Sequence, residues 1–279
     1  MDYKQLFDQI HKKRSFLCVG LDSDIEKIPQ FLRQNIHPIL DFNKAIIDAT
    51  APYTVAYKLN TAFYEVLGYE GWIQLQSTIN YISFTYPDIL IIIDSKRGDI
   101  GNTCNQYAKA FFEVMDVDAV TVNPYMGKDS VEPFLKYKDK WTIILALTSN
   151  NSSEDLQTLH LEENGLLVFD HILSLATNEW GATPENSMFV VGATHAETLE
   201  FIRDIVPDHF LLIPGIGTQG GSLEDVAKYG ITRKCGLIVN NSRGIIFASN
   251  EKDFPKVARE KAEEMQKKME IILQKYGII

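Results

Sequence analysis

A single (β/α)8 barrel with parallel strands is the fold class the sequence predicts, on three observations. Eight short apolar runs recur along the 279 residues, at 16–21, 54–59, 89–94, 118–123, 142–147, 188–193, 210–215 and 236–241. Several are apolar without alternation, as in strands covered on both faces. The stretches between them are long enough for crossover helices, and residues with useful chemistry gather just after the runs rather than before them. An open doubly wound sheet is the structural alternative. Hydrophobic content of 45% and charged content of 23% suit a sizeable core. No linker or low-complexity segment interrupts the chain, so residues 1–279 are expected to form one catalytic domain.

Each helical stretch has its own pattern. "MDYKQLFDQIHKKRSF" at the start reads as a charged amphipathic helix without the apolar stretch of a signal peptide. Residues 38–52 open on Pro38 and space Ile39, Phe42, Ile46 and Ala49 along one helical face. Residues 62–86 form a longer amphipathic stretch, and Asn102 is a candidate N-cap for a helix over 102–115. Residues 162–181 repeat the helical pattern, whereas Asn150–Asp155 reads as a polar loop. The last helix, about 255–276, carries Glu263–Lys267 and Glu264–Lys268 at i,i+4 and stops at Gly277.

Charge and composition narrow the function. A formal net charge of −10 argues against nucleic-acid or anionic-membrane partners. No apolar run reaches transmembrane length. The three cysteines, Cys18, Cys104 and Cys235, form no CxxC pair, which fits a reducing, cytoplasmic setting. None of the six histidines pairs at metal-ligand spacing, and no set of hard ligands converges, so no metal is expected.

The run ends carry the chemistry. Asp22 follows the first run, Lys58 and Asn60 the second, Asp94, Lys96 and Asp99 the third, Asn123 the fourth, and Thr148 with Ser149 the fifth. The seventh leads into "PGIGTQGGS" and the eighth into "NNSRG". In barrels the last two of these loops often bind phosphate; Gly215, Gly217, Gly220 and Gly221 allow backbone N–H groups close to an anion, and Arg243 can add a bidentate contact. Asp94 and Lys96 are two apart, so a straight strand would aim both the same way, towards Lys58 on the adjacent strand. An Asp–Lys pair at about 4 Å is worth roughly 4 kcal/mol at an effective dielectric near 20. Charge clusters in clefts more often mark function than a stabilising plug. Two lysines admit either an amine nucleophile or a proton donor, and spacing leaves both open.

At these residues the chain resembles the orotidine 5′-phosphate decarboxylases, in their longer variant. "DSKRGDIGNT" (94–103) carries the most specific motif, Asp-x-Lys-x-x-Asp with a following Thr. "GLDSD" (20–24), "YKLNTAFYE" (57–65), "PGIGTQGG" (214–221) and "NNSRGIIFA" (240–248) support it in order. The resemblance implies cofactor-free decarboxylation of orotidine 5′-monophosphate to uridine 5′-monophosphate. Lys96 would protonate pyrimidine carbon 6, and Asp94 would sit beside the departing carboxylate. Lys58 would join the charge network and contact the ribose, and Asp22, Asn60 and Thr103 would bind ribose hydroxyls. Thr148 or Ser149 would meet the pyrimidine edge. Gly215, Gly217, Gln219, Gly220 and Arg243 would hold the phosphate, with Pro214 lining the pocket. The resemblance also implies a homodimer in which Asp99 and Thr103 are shared across the interface. Gly244 departs slightly from the pattern, where a larger residue is expected after Arg243. Two other readings stay open: another phosphate-sugar barrel enzyme, which would call for a metal, and a non-catalytic nucleotide sensor.

Overall fold

Strand follows strand in sequence order around a closed barrel in the computed structural model, which describes residues 1–216 and 220–279. The strands are β1 (Leu17–Gly20), β2 (Ala56–Asn60), β3 (Leu90–Arg97), β4 (Ala119–Val122), β5 (Trp141–Leu147), β6 (Ser187–Val191), β7 (Phe210–Pro214) and β8 (Leu237–Asn241). The helices are α1 (Tyr3–Lys13), α2 (Pro38–Thr50), α3 (Ala62–Glu65), α4 (Gly68–Thr85), α5 (Gly101–Lys109), α6 (Glu132–Leu135), α7 (Val168–Asn178), α8 (Leu199–Ile205), α9 (Leu223–Gly230), α10 (Arg243–Ile246) and α11 (Phe254–Lys275). Closure rules out the open sheet. All eight apolar runs are strands, and they are buried along nearly their whole length because helices or neighbouring side chains cover both faces. No helix among the described residues is long and apolar enough to cross a membrane.

The chain divides into two compact units. One comprises Met1, Tyr3–Ser95 and Asn240–Ile279; the other comprises Asp2 and Lys96–Val239. In the first unit, β1, β2 and β3 pair in parallel, with Gly20 opposite Lys58 and Asn60 opposite Asp94. Phe42 of α2 stacks between Phe247 and Phe254, tying α2 to the start of α11. Lys267 and Lys268 of α11 reach Glu263 and Glu264 at 2.8 and 3.3 Å, the i,i+4 pairs expected from sequence. The long helix expected over 62–86 is broken instead. Gly68 has φ +61°, and a Cβ on Gly71 would overlap the Tyr64 carbonyl, so the chain doubles back where only glycine fits.

In the second unit, β4, β5, β6 and β7 pair in parallel, with a register shift between Leu145 and Leu147. The helix expected over 102–115 begins one residue early, at Gly101. Ile100, not Asn102, is its flanking residue, and a π-helical turn continues it over 110–114. Asn150–Asp155 is not a plain loop: residues 151–155 form a 3-10 helix. Arg203 of α8 donates to the carbonyls of Val206, His209, Gly230 and Gly236, gathering the turns that start β7 and β8.

His209 lies beneath that Arg203 hub. It is 5% exposed, its ring sits 5.3 Å from the Phe189 ring, and neither ring nitrogen has a hydrogen-bond partner among the described residues. Burial, with the Arg203 guanidinium close by, pushes its pKa down to about 4. The folded state therefore keeps a neutral imidazole, whereas the unfolded chain takes up a proton near pH 6.5. Stability is complete above about pH 6.5 and falls as pH drops towards about 4, by up to roughly 3 kcal/mol from this group. Urea unfolding should show that acid-side loss, and His209→Leu should flatten it between pH 6.5 and 4.5. An unchanged slope in the variant would assign the loss to other groups.

Candidate active site

In the first unit, β1 and β2 deliver their polar residues at their C-terminal ends. Lys58 is 4% exposed, and its Nζ lies 2.8 Å from Asp94 Oδ2 and 3.5 Å from Asp22 Oδ1. Burial opposes the Lys58 charge, but the two carboxylates outweigh it and raise its pKa above the ordinary lysine value. Lys58 is thus a fixed ammonium. Asp22 Oδ1 is buried and makes no hydrogen bond among the described residues, so the Lys58 ammonium at 3.5 Å is what offsets its charge. Cys18 adds a neutral neighbour: burial, with the nearby carboxylates, pushes its thiol up to about 12, and its Sγ sits 3.5 Å from Asn240 Oδ1.

A buried polar network supports Asp22 from behind. Ser23 Oγ donates to Asn43 Oδ1, and Asn43 Nδ2 donates to Tyr64 Oη and Thr78 Oγ1 at 3.0 and 3.2 Å. Tyr64 Oη in turn donates to the Leu21 carbonyl. All four side chains are fully buried, so the loop that carries Asp22 has little freedom. Asn60 spends its side-chain oxygen on the Ala62 N–H at 3.1 Å, which turns the chain into α3. Arg243 is exposed at the start of α10. A Cβ at Gly244 would come 2.9 Å from Asn241 Oδ1, which explains the glycine there.

The second unit begins at Lys96, where the backbone leaves the extended geometry. Lys96 has φ +48°, outside the range on which strand alternation rests. Asp94 is buried while Lys96 is exposed. The Lys96 N–H donates to Thr121 Oγ1 at 2.9 Å, which fastens the unusual backbone. Left-handed geometry at a non-glycine residue costs about 1–2 kcal/mol. Asp99 is half-buried and accepts from the Ile100 N–H, and Thr103 is exposed on α5.

Beyond β5, Thr148 and Ser149 differ. Thr148 Oγ1 donates to Asn150 Oδ1 at 2.7 Å and meets the Gln157 carboxamide, whereas the Ser149 hydroxyl has no partner among the described residues. Gly215 and Gly220 take φ +100° and +88°, a backbone region that favours glycine. A Cβ on Gly221 would overlap Ala193, and the Gly221 N–H bonds the Gly215 carbonyl at 3.2 Å, so the ends of this loop are closely packed. Pro214 is half-buried at the end of β7. Gly217 and Gln219 lie outside the described residues. His195 lines an open cleft of about 400 Å³ with Glu197, Asp225 and Tyr229. No three His, Cys, Asp or Glu side chains among the described residues converge in metal-binding geometry. Sequence reading passed over Gln157 and the Asn43 network, because isolated amides inside helical or polar stretches carry no motif.

The sequence model described as "Orotidine 5'-phosphate decarboxylase / HUMPS family" matches residues 15–254. A Phocaeicola vulgatus protein named orotidine 5′-phosphate decarboxylase is 57% identical over 273 residues, covering 98% of this chain and 99% of that one. Among solved structures, OMP decarboxylase from Leishmania donovani is 33% identical with a TM-score of 0.80, covering 97% of this chain and 99% of that one. UMP synthase from the same organism is 34% identical with a TM-score of 0.79; 95% of this chain matches 57% of that longer one.

Lys58→Ala tests the charge cluster without reference to any substrate. It removes the ammonium that Asp22 and Asp94 both face, so urea unfolding at pH 7.5 should show a loss of about 3 kcal/mol. The loss should shrink as pH falls towards 4.5, because the ammonium offsets ionised carboxylates only. A loss independent of pH would mean that packing, not charge, is what Lys58 provides.

Proposed function

This chain belongs to the orotidine 5′-phosphate decarboxylase / HUMPS family, and from that premise we propose that it converts orotidine 5′-monophosphate to uridine 5′-monophosphate and carbon dioxide in pyrimidine biosynthesis. The observation that carries this reading is the buried ammonium of Lys58 between Asp22 and Asp94. Phosphate binding alone has no need of that cluster, which disfavours a sensor without catalysis. A metal requirement for turnover would favour the sugar-phosphate alternative instead.

The chemistry runs without a cofactor. The bond between carbon 6 and the carboxylate breaks, its electron pair stays on carbon 6, and carbon dioxide leaves. Lys96 then gives carbon 6 a proton from its ammonium. A positive charge placed beforehand at the developing carbanion lowers the barrier, because nothing needs to reorganise as charge appears. Asp94 lies beside the departing carboxylate, and its own charge is balanced by Lys58. The strained backbone of Lys96 supports this role: an energetic cost held in place by Thr121 is best understood at a reacting group.

Binding is shared among the remaining residues. Asp22 and Asn60 take ribose hydroxyls, and Lys58 contacts the ribose. Ser149, whose hydroxyl is uncommitted, meets the pyrimidine edge in preference to Thr148. Gly215, Gly217, Gln219, Gly220 and Arg243 hold the phosphate, and Pro214 lines the pocket. Phosphate contacts remote from carbon 6 supply binding energy that orients the reacting end. Asp99 and Thr103 complete the site of a second copy in a homodimer. The 279 residues act as one catalytic domain, in the cytoplasm.

Lys96→Ala should lower turnover of orotidine 5′-monophosphate by at least ~10³-fold in the presence of a chelator, while uridine 5′-monophosphate still binds within about tenfold of wild type. Lys96→Gly should be equally inactive yet about 1 kcal/mol more stable than Lys96→Ala, because glycine accepts the positive φ. Substantial turnover by either variant would remove Lys96 from its role as the acid.

A further inference from the structure

The segment between β5 and α7 has no part in the scheme above, yet it reaches back to the end of β5 through one side chain. We propose that Gln157 is a positioning residue: it fastens the turn after β5 so that Ser149 meets the pyrimidine edge. This role rests on the decarboxylase reading.

The backbone shows why an anchor is needed. The β5–β6 register shifts between Leu145 and Leu147, and Gly192 donates to the Leu147 carbonyl at 2.8 Å. Thr148 then leaves the ladder, and its N–H finds its acceptor in Gln157 Oε1 at 2.7 Å. Gln157 Nε2 in turn donates to Thr148 Oγ1 at 2.9 Å. The carboxamide therefore grips both the backbone and the hydroxyl of Thr148. Gln157 is itself fixed: its N–H donates to the Ser153 carbonyl at 2.7 Å, and its carbonyl accepts from the Phe169 N–H at 3.0 Å.

Ser149 is confined from the other side by Gly192. A Cβ at Gly192 would stand 2.7 Å from Ser149 Cα and 2.8 Å from its Cβ. With Thr148 clamped in front and Gly192 flush behind, Ser149 has one seat, and its hydroxyl is left for a ligand. Loss of the clamp frees Thr148 and lets Ser149 drift. The effect falls on contacts to the base and spares those to ribose and phosphate.

The test compares Gln157→Ala with wild type, by calorimetric binding of uridine 5′-monophosphate and of ribose 5-phosphate, which lacks the base. The expected result is about tenfold weaker binding of the nucleotide with the sugar phosphate changed less than about twofold. Gln157→Glu keeps an acceptor for the Thr148 N–H and should restore nucleotide binding to within about threefold. In a Ser149→Ala background, Gln157→Ala should add less than about twofold. For orotidine 5′-monophosphate, KM should rise more than kcat falls. Equal weakening of both ligands, unchanged nucleotide binding, or a full effect in the Ser149→Ala background would overturn the proposal. If Gln157→Ala does not fold, Gln157→Met preserves the volume and carries the same comparison. Failure of folded wild type to decarboxylate would instead overturn the functional reading, and the two binding measurements would still judge Gln157.

Discussion

One ion cluster organises this protein. Lys58 is buried with Asp94 at 2.8 Å and Asp22 at 3.5 Å, and none of the three could stay charged there alone. Removing an ammonium from water is costly, and the two carboxylates offset that cost only if they stay in place. The surroundings meet that condition. The β1–β2–β3 register sets Gly20 beside Lys58 and Asn60 beside Asp94, and the Asn43–Tyr64 network locks the loop after β1. Much of the first unit is thus spent on holding three charges at fixed distances.

The second unit shows the same economy with neutral groups. Positive φ at Lys96, a carboxamide grip on Thr148 and bare glycines at 192 and 221 each restrict the backbone beside them. The features are local, and each is stabilised by a named hydrogen bond or a close approach. Such sites trade stability for placement, which is the usual cost of a preorganised electrostatic environment.

Much of this was legible in the sequence. Eight apolar runs and the chemistry at their ends indicated both the barrel and the cluster, since burial on two faces and functional strand ends leave direct marks in residue order. Three kinds of feature were not legible. The backbone at Lys96 is one, because two-residue alternation assumes an extended chain and nothing in "DSKRG" announces φ +48°. The break before Gly71 depends on a close approach to the Tyr64 carbonyl, a tertiary contact. Gln157 acts on Thr148 across nine positions through a hydrogen bond that no local pattern encodes. Residues whose role is fixed by their own strand are readable; residues that act on another segment are not.

The central claim is that this cluster serves loss of carbon dioxide from a pyrimidine nucleotide. The most direct measurement is ¹³C NMR of orotidine 5′-monophosphate labelled in its carboxyl carbon, incubated with purified, chelator-treated protein. The account predicts that the carboxyl signal decays as labelled bicarbonate grows in equal amount, at a rate proportional to protein concentration. A carboxyl signal that persists beside folded protein would contradict it.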